Sequence, residues 1–294
     1  MSFHLLVFVK QVPDTQNISG DAMTPEGTVN RAALPAIFNP EDLNALELAL
    51  QLKDRYDAKV TVATMGMPAA AEVLRQTLYR GADRALLITD RALAGADTLA
   101  TSYTLSCVVK MLGDVDLVLC GRQAIDGGTA QVGPQIAEKL KMPQICYVEE
   151  VVELAAGSIT ARRAIEGGYE ILKSPLPALL TVIDANDPRP ESVKRIMKFK
   201  RARTNGEIAM QFKDDPAAAD ALKAQLAAKG LLIEEYNAAA IGADPQRIGF
   251  PGSPTKVKQV QSVVLTAGEA KDVPATAEGI SELMHELISD HTLG

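Results

Sequence analysis

Residues 58–89 read AKVTVATMGMPAAAEVLRQTLYRGADRALLIT, and this stretch decides the fold. Residues 58–65 and 84–89 are apolar runs of strand length. The segment between them has helical periodicity, begins at Pro68 and ends at Gly81. Proline suits the first turn of a helix and glycine suits its end. A strand, a helix and a second strand in this order predict two parallel strands joined by a crossover helix.

The same alternation continues on both sides of this unit. Residues 3–10 and 116–120 predict further strands, and helices are predicted over residues 95–112 and 129–141 and after Pro40, with Asn39 as the N-cap. Aromatic residues make up only 4% of the chain and Trp is absent, so the core is built from Ala, Val, Leu and Ile. Such a core suits strands that are buried on both faces of a parallel sheet. The predicted fold class is therefore α/β, with a doubly wound, mainly parallel sheet.

The pattern changes after Pro143. Residues 144–154, 158–165 and 169–172 predict strands joined by tight turns, which is an antiparallel hairpin addition. Residues 177–183 then return to the parallel sheet.

Beyond Asp184 we expect the strand–helix alternation to stop. An Ala-rich helix is predicted over residues 216–229, and an arm with many Gly and Pro residues, 244–272, leads to an amphipathic helix over residues 275–290. Because this tail buries little against itself, we expect it to lie on a partner chain. The predicted division is an α/β domain over residues 1–200, a helical Ala-rich insertion or linker over 201–247 and a C-terminal arm and helix over 248–294. A long loop containing Gly20, Pro25 and Gly27 follows the first strand.

Composition excludes several classes of function. The chain has 294 residues, 30 basic against 37 acidic side chains and a formal charge of -7, so its surface repels nucleic acid. The apolar runs are of strand length, too short for a membrane span, and the N-terminus enters a strand at once, so we expect a cytoplasmic protein. The three Cys and three His residues are scattered, which disfavours a metal site and a disulfide framework.

One loop has the features of a phosphate site. Residues 121–131, GRQAIDGGTAQ, lie between a predicted strand and a predicted helix. This position offers flexible glycines and free backbone N–H groups at the positive end of a helix. Asp126 can fix the turn, and Thr129 can cap the helix or donate to a phosphate. An ordinary strand–helix loop in which Thr129 is only an N-cap fits equally well.

Further polar residues follow the strands that neighbour this loop. Lys10 ends the first strand, Asn39 opens the first helix, and residues 90–98 follow the third strand. In open α/β sheets these carboxyl ends form the ligand crevice. Taken alone, Lys10 fits a solvated side chain and Asn39 fits a cap, so the convergence of the three segments carries the prediction. No Ser/His/Asp or Cys/His set is visible, which disfavours catalysis by a nucleophile.

These residues resemble a known family, the beta subunits of electron-transfer flavoproteins. The most specific match is residues 163–181, RAIEGGYEILKSPLPALLT. Further matches are residues 9–14 (VKQVPD), 39–40 (NP), 81–84 (GADR) and 121–126 (GRQAID). The resemblance covers residues 3–200 and resumes at residues 249–258, whereas residues 204–247 are longer and richer in Ala than the family pattern.

The resemblance implies a Rossmann-like, adenine-nucleotide-binding fold and a heterodimer with an alpha subunit that carries FAD. It also implies electron exchange with an acyl-CoA dehydrogenase-type or other flavin dehydrogenase partner. In this family the beta subunit holds AMP in the plain carriers and a second FAD in the electron-bifurcating types. Residues 90–101, DRALAGADTLAT, resemble the bifurcating branch. That branch implies NADH as the electron donor and ferredoxin or flavodoxin as the low-potential acceptor. A regulatory adenine-nucleotide-binding module is the alternative from another class.

The candidate site residues are those that match family positions or flank the predicted crevice. Phe8, Asn39 and Met65 match positions around the adenosine, and residues 126–132 match the phosphate loop. The candidates are Phe8, Val9, Lys10, Asn39, Met65, Asp97, Thr98, Thr101, Gly121, Arg122, Gln123, Asp126, Gly127, Gly128, Thr129, Ala130, Gln131 and Val132. They are predicted to bind the cofactor, with no catalytic side chain and no metal ligand among them.

Overall fold

A ten-stranded sheet forms the centre of the protein. The computed structural model describes residues 3–14, 34–183, 187–256 and 271–289. Its strands are β1 (His4–Phe8), β2 (Gln11–Pro13), β3 (Ala36–Phe38), β4 (Lys59–Met65), β5 (Arg84–Ile88), β6 (Leu117–Gly121), β7 (Gln144–Ala155), β8 (Ser158–Ile165), β9 (Gly168–Pro175), β10 (Ala178–Val182), β11 (Arg203–Thr204) and β12 (Leu232–Tyr236). The order across the large sheet is β11-β12-β5-β4-β1-β6-β10-β7-β8-β9, while β2 and β3 pair separately. All pairs from β11 to β7 are parallel, and β8 and β9 add the antiparallel hairpin.

Helices cover both faces of this sheet. The helices are α1 (Pro40–Tyr56), α2 (Ala71–Arg80), α3 (Thr98–Leu112), α4 (Val132–Leu140), α5 (Val193–Phe199), α6 (Asn205–Gln211), α7 (Pro216–Ala228) and α8 (Ala277–Ser289). Alternate residues of β1 point to opposite faces: Leu5 and Val7 pack with α1 and α2, whereas Leu6 and Phe8 pack with α3 and α4. The α/β, doubly wound class predicted from the sequence is confirmed.

The order in which strands are added to the sheet reverses beside β1. After β1 the chain builds β4 and then β5 on one side, and α3 carries it back across to β6 on the other side of β1. The carboxyl ends of β1 and β6 therefore diverge into different connections and leave a crevice between them. In open α/β sheets this switch point is where ligands bind.

Two predictions of local structure are wrong. The strand–helix alternation continues beyond Asp184, because β11 and β12 extend the parallel sheet next to β5. Helix α4 begins at Val132 with Gln131 as N-cap, so Thr129 lies in the preceding loop and does not cap the helix. Gly20, Pro25, Gly27 and residues 257–270 of the predicted arm lie outside the described residues. The division into domains at residues 200 and 247 stays a prediction.

In the part of the chain that the structure describes, no helix combines the length and the apolar character needed to cross a membrane.

Candidate functional site

A cavity of about 440 Å³ opens at the carboxyl ends of β1, β4 and β6. Its floor is apolar and includes Phe8, Met65, Leu105 and Ile136. One side is the loop that follows β6, and the opposite side is the segment that leads into α3. Cavities of this kind, apolar with a few convergent polar groups, are typical of small-molecule and cofactor sites.

The loop after β6 presents main-chain N–H groups to the cavity. The N–H groups of Gly127 and Gly128 both donate to the carbonyl of Ala124, which closes a tight turn. Gly128 (φ 59°) and Ala130 (φ 52°) are then left-handed, so the chain bends into the first turn of α4. From residue 129 to 132 the N–H groups find no acceptor among the described residues. Free N–H groups in such a bend, at the positive end of a helix, form a site for an anion.

The first turn of α1 holds this loop in place. Asn39 occupies the N-cap position of α1 but makes no capping hydrogen bond to its own helix. Its amide group instead donates to the Gln123 carbonyl (2.9 Å) and accepts from the Ile125 N–H (3.1 Å), and the residue is fully buried. The Glu41 carboxylate binds the Arg122 guanidinium and the Gln123 N–H. The loop is therefore positioned by α1 without any ligand.

The cations beside the loop already have carboxylate partners. Lys10 Nζ lies 2.8 Å from the Asp126 carboxylate, and the Arg122 guanidinium lies 2.8 Å from Glu41. Both pairs are partly exposed, so each contributes little net stability. An anion in this cavity would consequently be bound by main-chain N–H groups more than by a free positive charge.

Asp42 is a buried carboxyl in the cavity wall. Its Oδ2 accepts from the Lys10 N–H (2.8 Å) and its Oδ1 accepts from the Gly121 N–H (3.2 Å), which ties together the ends of β1 and β6. Burial raises the pKa of Asp42 to about 7, although the hydrogen bonds from Asn39, Lys10 and Gly121 oppose the shift. Asp42 thus titrates near neutral pH.

The opposite wall is fixed by residues from far along the chain. The Asp97 carboxylate caps α3 through the Ala100 N–H (2.9 Å) and accepts from the Thr255 N–H (3.0 Å). Burial works to raise the pKa of Asp97, but these N–H groups hold it below its ordinary value. The Asp97 N–H donates to the buried Ser253 hydroxyl, and the Phe250 N–H donates to the Ala94 carbonyl. Residues 249–255 therefore support the segment that lines the cavity.

Gly249 shows how closely residues 249–255 approach the segment that leads into α3. Its φ is 56°, and a Cβ atom built on it would lie 2.0 Å from the Ala92 carbonyl oxygen. Only glycine fits this contact.

The structure brings the predicted site residues together around this cavity, with two exceptions. Asn39 is buried behind the loop and acts on the loop itself, and Asp126 lies outside the cavity wall, paired with Lys10. Thr98 bridges the two walls, because its hydroxyl donates to Gln131 Oε1 (3.0 Å).

The wall also contains residues that are not among the named candidates. Four of them belong to the predicted segments 90–98 and 121–131, namely Leu93, Gly95, Ala96 and Ala124. The others were not predicted from the sequence: Asp42, Leu105, Cys120, Gly133 and Ile136. Most are small or apolar and have the pattern of ordinary core residues. Asp42 carried a weak signal, since it lies three residues after Asn39 at the start of a predicted helix.

The chain is similar to known electron transfer flavoproteins over most of its length. The family model of the electron transfer flavoprotein domain matches residues 26–207. The electron transfer flavoprotein subunit beta of Clostridium acetobutylicum is 43% identical over 96% of this chain and 98% of its own length. The caffeyl-CoA reductase-Etf complex subunit CarD of Acetobacterium woodii is 51% identical over 66% of this chain and 73% of its own. Protein FixA of Sinorhizobium fredii is 38% identical over 97% of this chain and 92% of its own.

These matches cover the sheet, the hairpin with the family-like stretch 163–181 and the loop after β6. Beta subunits of this family pair with an alpha subunit, and the family is associated with flavin, AMP or both. The chain therefore belongs to the electron transfer flavoprotein family, as a beta subunit that functions in electron transfer.

Proposed function

We propose that the cavity binds FAD. The observation that carries this proposal is the set of residues that line the cavity, which comprises the ends of β1 and β4, the loop after β6 and, on the first two turns of α3, Thr98, Thr101 and Leu105. An AMP would use the ends of β1 and β4 and the loop. FAD has in addition a second phosphate, a ribityl chain and a ring, which can use the segment before α3 and the hydroxyls of Thr98 and Thr101.

The residues present fit the parts of this cofactor. Phe8 and Met65 offer apolar surface for the adenosine, and the N–H groups of residues 129–132 offer donors for the diphosphate. Gly95 and Ala96 are small, which leaves room for the ribityl chain and ring next to Thr98. The site fits an anionic dinucleotide bound chiefly by main-chain donors.

We further propose that the chain, with FAD bound, oxidises NADH and divides the two electrons. One goes to a low-potential acceptor, ferredoxin or flavodoxin, and the other goes to the FAD of the alpha subunit. When bound, FAD supplies hydride acceptance and single-electron transfer. The protein orients the cofactor through the loop and Asp97, and its apolar floor excludes water. No side chain of this chain is assigned a catalytic role.

Sequence supports the bifurcating assignment through residues 90–101, which resemble that branch of the family. The A. woodii relative is named as part of a caffeyl-CoA reductase complex. We propose that the present chain serves an acyl-CoA dehydrogenase-type or related partner. A plain carrier with AMP in this cavity is the alternative. The regulatory module is set aside because the chain belongs to an electron-transfer family.

The C-terminal segment, residues 248–294, is proposed to pack on the alpha subunit. Large apolar side chains are exposed along α8 at a spacing of four residues, namely Ile280, Met284 and Ile288. A helix stripe of this kind needs a covering surface. The boundary at residue 200 and the cytoplasmic location also remain proposals from the sequence.

The FAD assignment predicts a specific loss at α3. Substituting both Thr98 and Thr101 with Val keeps their volume but removes two hydroxyl donors one helical turn apart. We expect the purified two-subunit complex to lose most of the FAD bound by this chain while it keeps the FAD of the alpha subunit. Each lost hydrogen bond to a neutral ribityl hydroxyl costs about 0.5–1.5 kcal/mol. Flavin released on denaturation, counted per complex, measures the effect.

The matched control is the double substitution of Thr98 and Thr101 with Ser, which retains both hydroxyls. This control should retain FAD. Equal FAD content in the Val and Ser variants would place the ribityl chain elsewhere.

A further inference from the structure

Ser253 lies behind the cavity wall that leads into α3 without lining the cavity itself, and the proposed function gives it no role. We propose that Ser253 is a positioning residue that decides which nucleotide the cavity prefers. Its hydroxyl holds residues 94–97 in the place where FAD can use them, and it leaves unchanged the part of the site that AMP uses. The inference rests on the proposed function, because it takes FAD and AMP as the two ligands that the cavity distinguishes.

The Ser253 hydroxyl joins two segments that are far apart in the sequence. The residue is 3% exposed, and its oxygen accepts a hydrogen bond from the Asp97 N–H (2.8 Å) and donates one to the Gly249 carbonyl (2.7 Å). The Gly95 carbonyl lies 3.4 Å from the same oxygen. A serine hydroxyl has one proton and also accepts, so this side chain spends its proton within its own segment and accepts from the wall. Without the hydroxyl, the Asp97 N–H loses its acceptor.

Residues 94–97 depend on this contact because they form no helix or strand of their own. They lead into α3, and Gly95 bends the chain in the left-handed region (φ 72°). Among the described residues, the main-chain N–H and carbonyl groups of this segment reach distant parts of the chain through Phe250 and Ser253. The Phe250 N–H donates to the Ala94 carbonyl at one end, and Ser253 holds the other end. Removing the Ser253 hydroxyl therefore frees the end of the wall that adjoins α3.

The wall keeps further contacts when this hydroxyl is lost. The Asp97 carboxylate still caps α3 through the Ala100 N–H (2.9 Å), and it still accepts from the Thr255 N–H (3.0 Å). The expected effect of Ser253→Ala is thus a local displacement of the wall while the domain stays folded.

The part of the site that AMP uses is held by different residues. The loop after β6 is fixed by Asn39 and Glu41 of α1, and the ends of β1 and β4 are fixed by their pairing in the sheet. In the part of the chain that the structure describes, no hydrogen bond joins this loop to residues 249–255. A change at Ser253 therefore does not reach the AMP part directly.

The two nucleotides should consequently respond differently to Ser253→Ala. FAD adds a second phosphate, a ribityl chain and a ring, which use residues 95–98 and Thr101. We expect the FAD affinity of this chain to fall about ten-fold, because one hydrogen bond between the wall and the ribityl chain is worth a factor of this order. The AMP affinity should stay unchanged. A general loss of stability lowers both affinities, so the ratio of FAD affinity to AMP affinity separates positioning from a merely structural role.

The test uses the two-subunit complex freed of nucleotide and titrated in a calorimeter with FAD and, separately, with AMP. Ser106→Ala is the matched control. The Ser106 hydroxyl also belongs to a buried residue, but it donates to the Tyr103 carbonyl within α3 and does not line the cavity. This control should bind both nucleotides as the wild type does. The site of the alpha subunit is the same in every complex and cancels in the comparison.

An unchanged FAD affinity in Ser253→Ala, or equal losses of FAD and AMP affinity, would overturn the inference. A second measurement needs no variant. Amide hydrogen exchange of residues 94–97 in the wild-type complex should slow more with FAD bound than with AMP bound. Equal protection of this segment by the two nucleotides would also overturn the inference, whether or not the variant folds.

The failures are distinguishable. The number of FAD molecules that the wild-type complex binds reports on the proposed function, and the ratio of FAD affinity to AMP affinity in the variant reports on Ser253. A wild-type complex that binds AMP but no second FAD would overturn both.

Discussion

Replacing Gly121 with Ala should destabilise the protein and also abolish nucleotide binding in the cavity. A Cβ atom at this position would lie 2.6 Å from the Glu41 carbonyl carbon and 2.6 Å from Asp42 Oδ1. The first contact is with backbone, so α1 itself must move away from β6. Overpacking of this kind costs about 1–3 kcal/mol, and it would also weaken the Gly121–Asp42 hydrogen bond. Because α1 positions the whole loop, nucleotide binding should be lost as well.

The measurement is the thermal midpoint and the nucleotide content of the purified complex. For a domain of this size, 1 kcal/mol corresponds to about 2–4 °C in the midpoint. Gly168→Ala is the matched control, because a Cβ there meets no atom within 4 Å and its φ is not left-handed. An unchanged midpoint and full nucleotide content in Gly121→Ala would show that α1 does not fix the loop.

Replacing Ile280 and Ile288 with Asp should prevent assembly with the alpha subunit. The two side chains are 57% and 53% exposed and lie on one stripe of α8. If the partner covers this stripe, two buried and unpaired carboxylates would cost several kcal/mol. We expect the fraction that co-elutes with the alpha subunit in gel filtration to fall by about ten-fold or more, since 1.4 kcal/mol is a factor of ten in affinity.

Met210→Asp is the control for this experiment, since Met210 is 69% exposed on α6, away from the proposed contact. That variant should assemble normally. If the double variant of α8 also co-elutes at the wild-type level, the helix does not contribute to the interface.

Most of the parallel sheet could be predicted from the sequence, because β1, β4, β5, β6 and β10 are mainly apolar runs of strand length. The two strands β11 and β12 could not. β11 has only two residues, and β12 is Leu232–Tyr236, LIEEY, whose two Glu residues break the apolar run. Glu234 is held there by Arg84, an ion pair between residues 150 positions apart that no local pattern predicts.

The site, like the sheet, could be predicted only where the signal is local in the sequence. The loop after β6 and the segment before α3 have local signals, namely glycines, helix starts and positions at strand ends. The hydrogen bonds by which α1 fixes the loop have no local signal in the sequence, because Asn39, Glu41 and Asp42 are typical residues of a helix start. Their partners lie about eighty residues away in the sequence, so their role is visible only once the fold is known.

The central claim is that this chain itself holds FAD, and the nucleotide content of the two-subunit complex tests it most directly. The complex is purified, denatured to release its nucleotides, and assayed for FAD and AMP per pair of subunits. The account predicts two FAD and no AMP, together with reduction of the flavin by NADH in the intact complex. One FAD and one AMP, with no reduction by NADH, would contradict the account and assign the chain to the plain carriers.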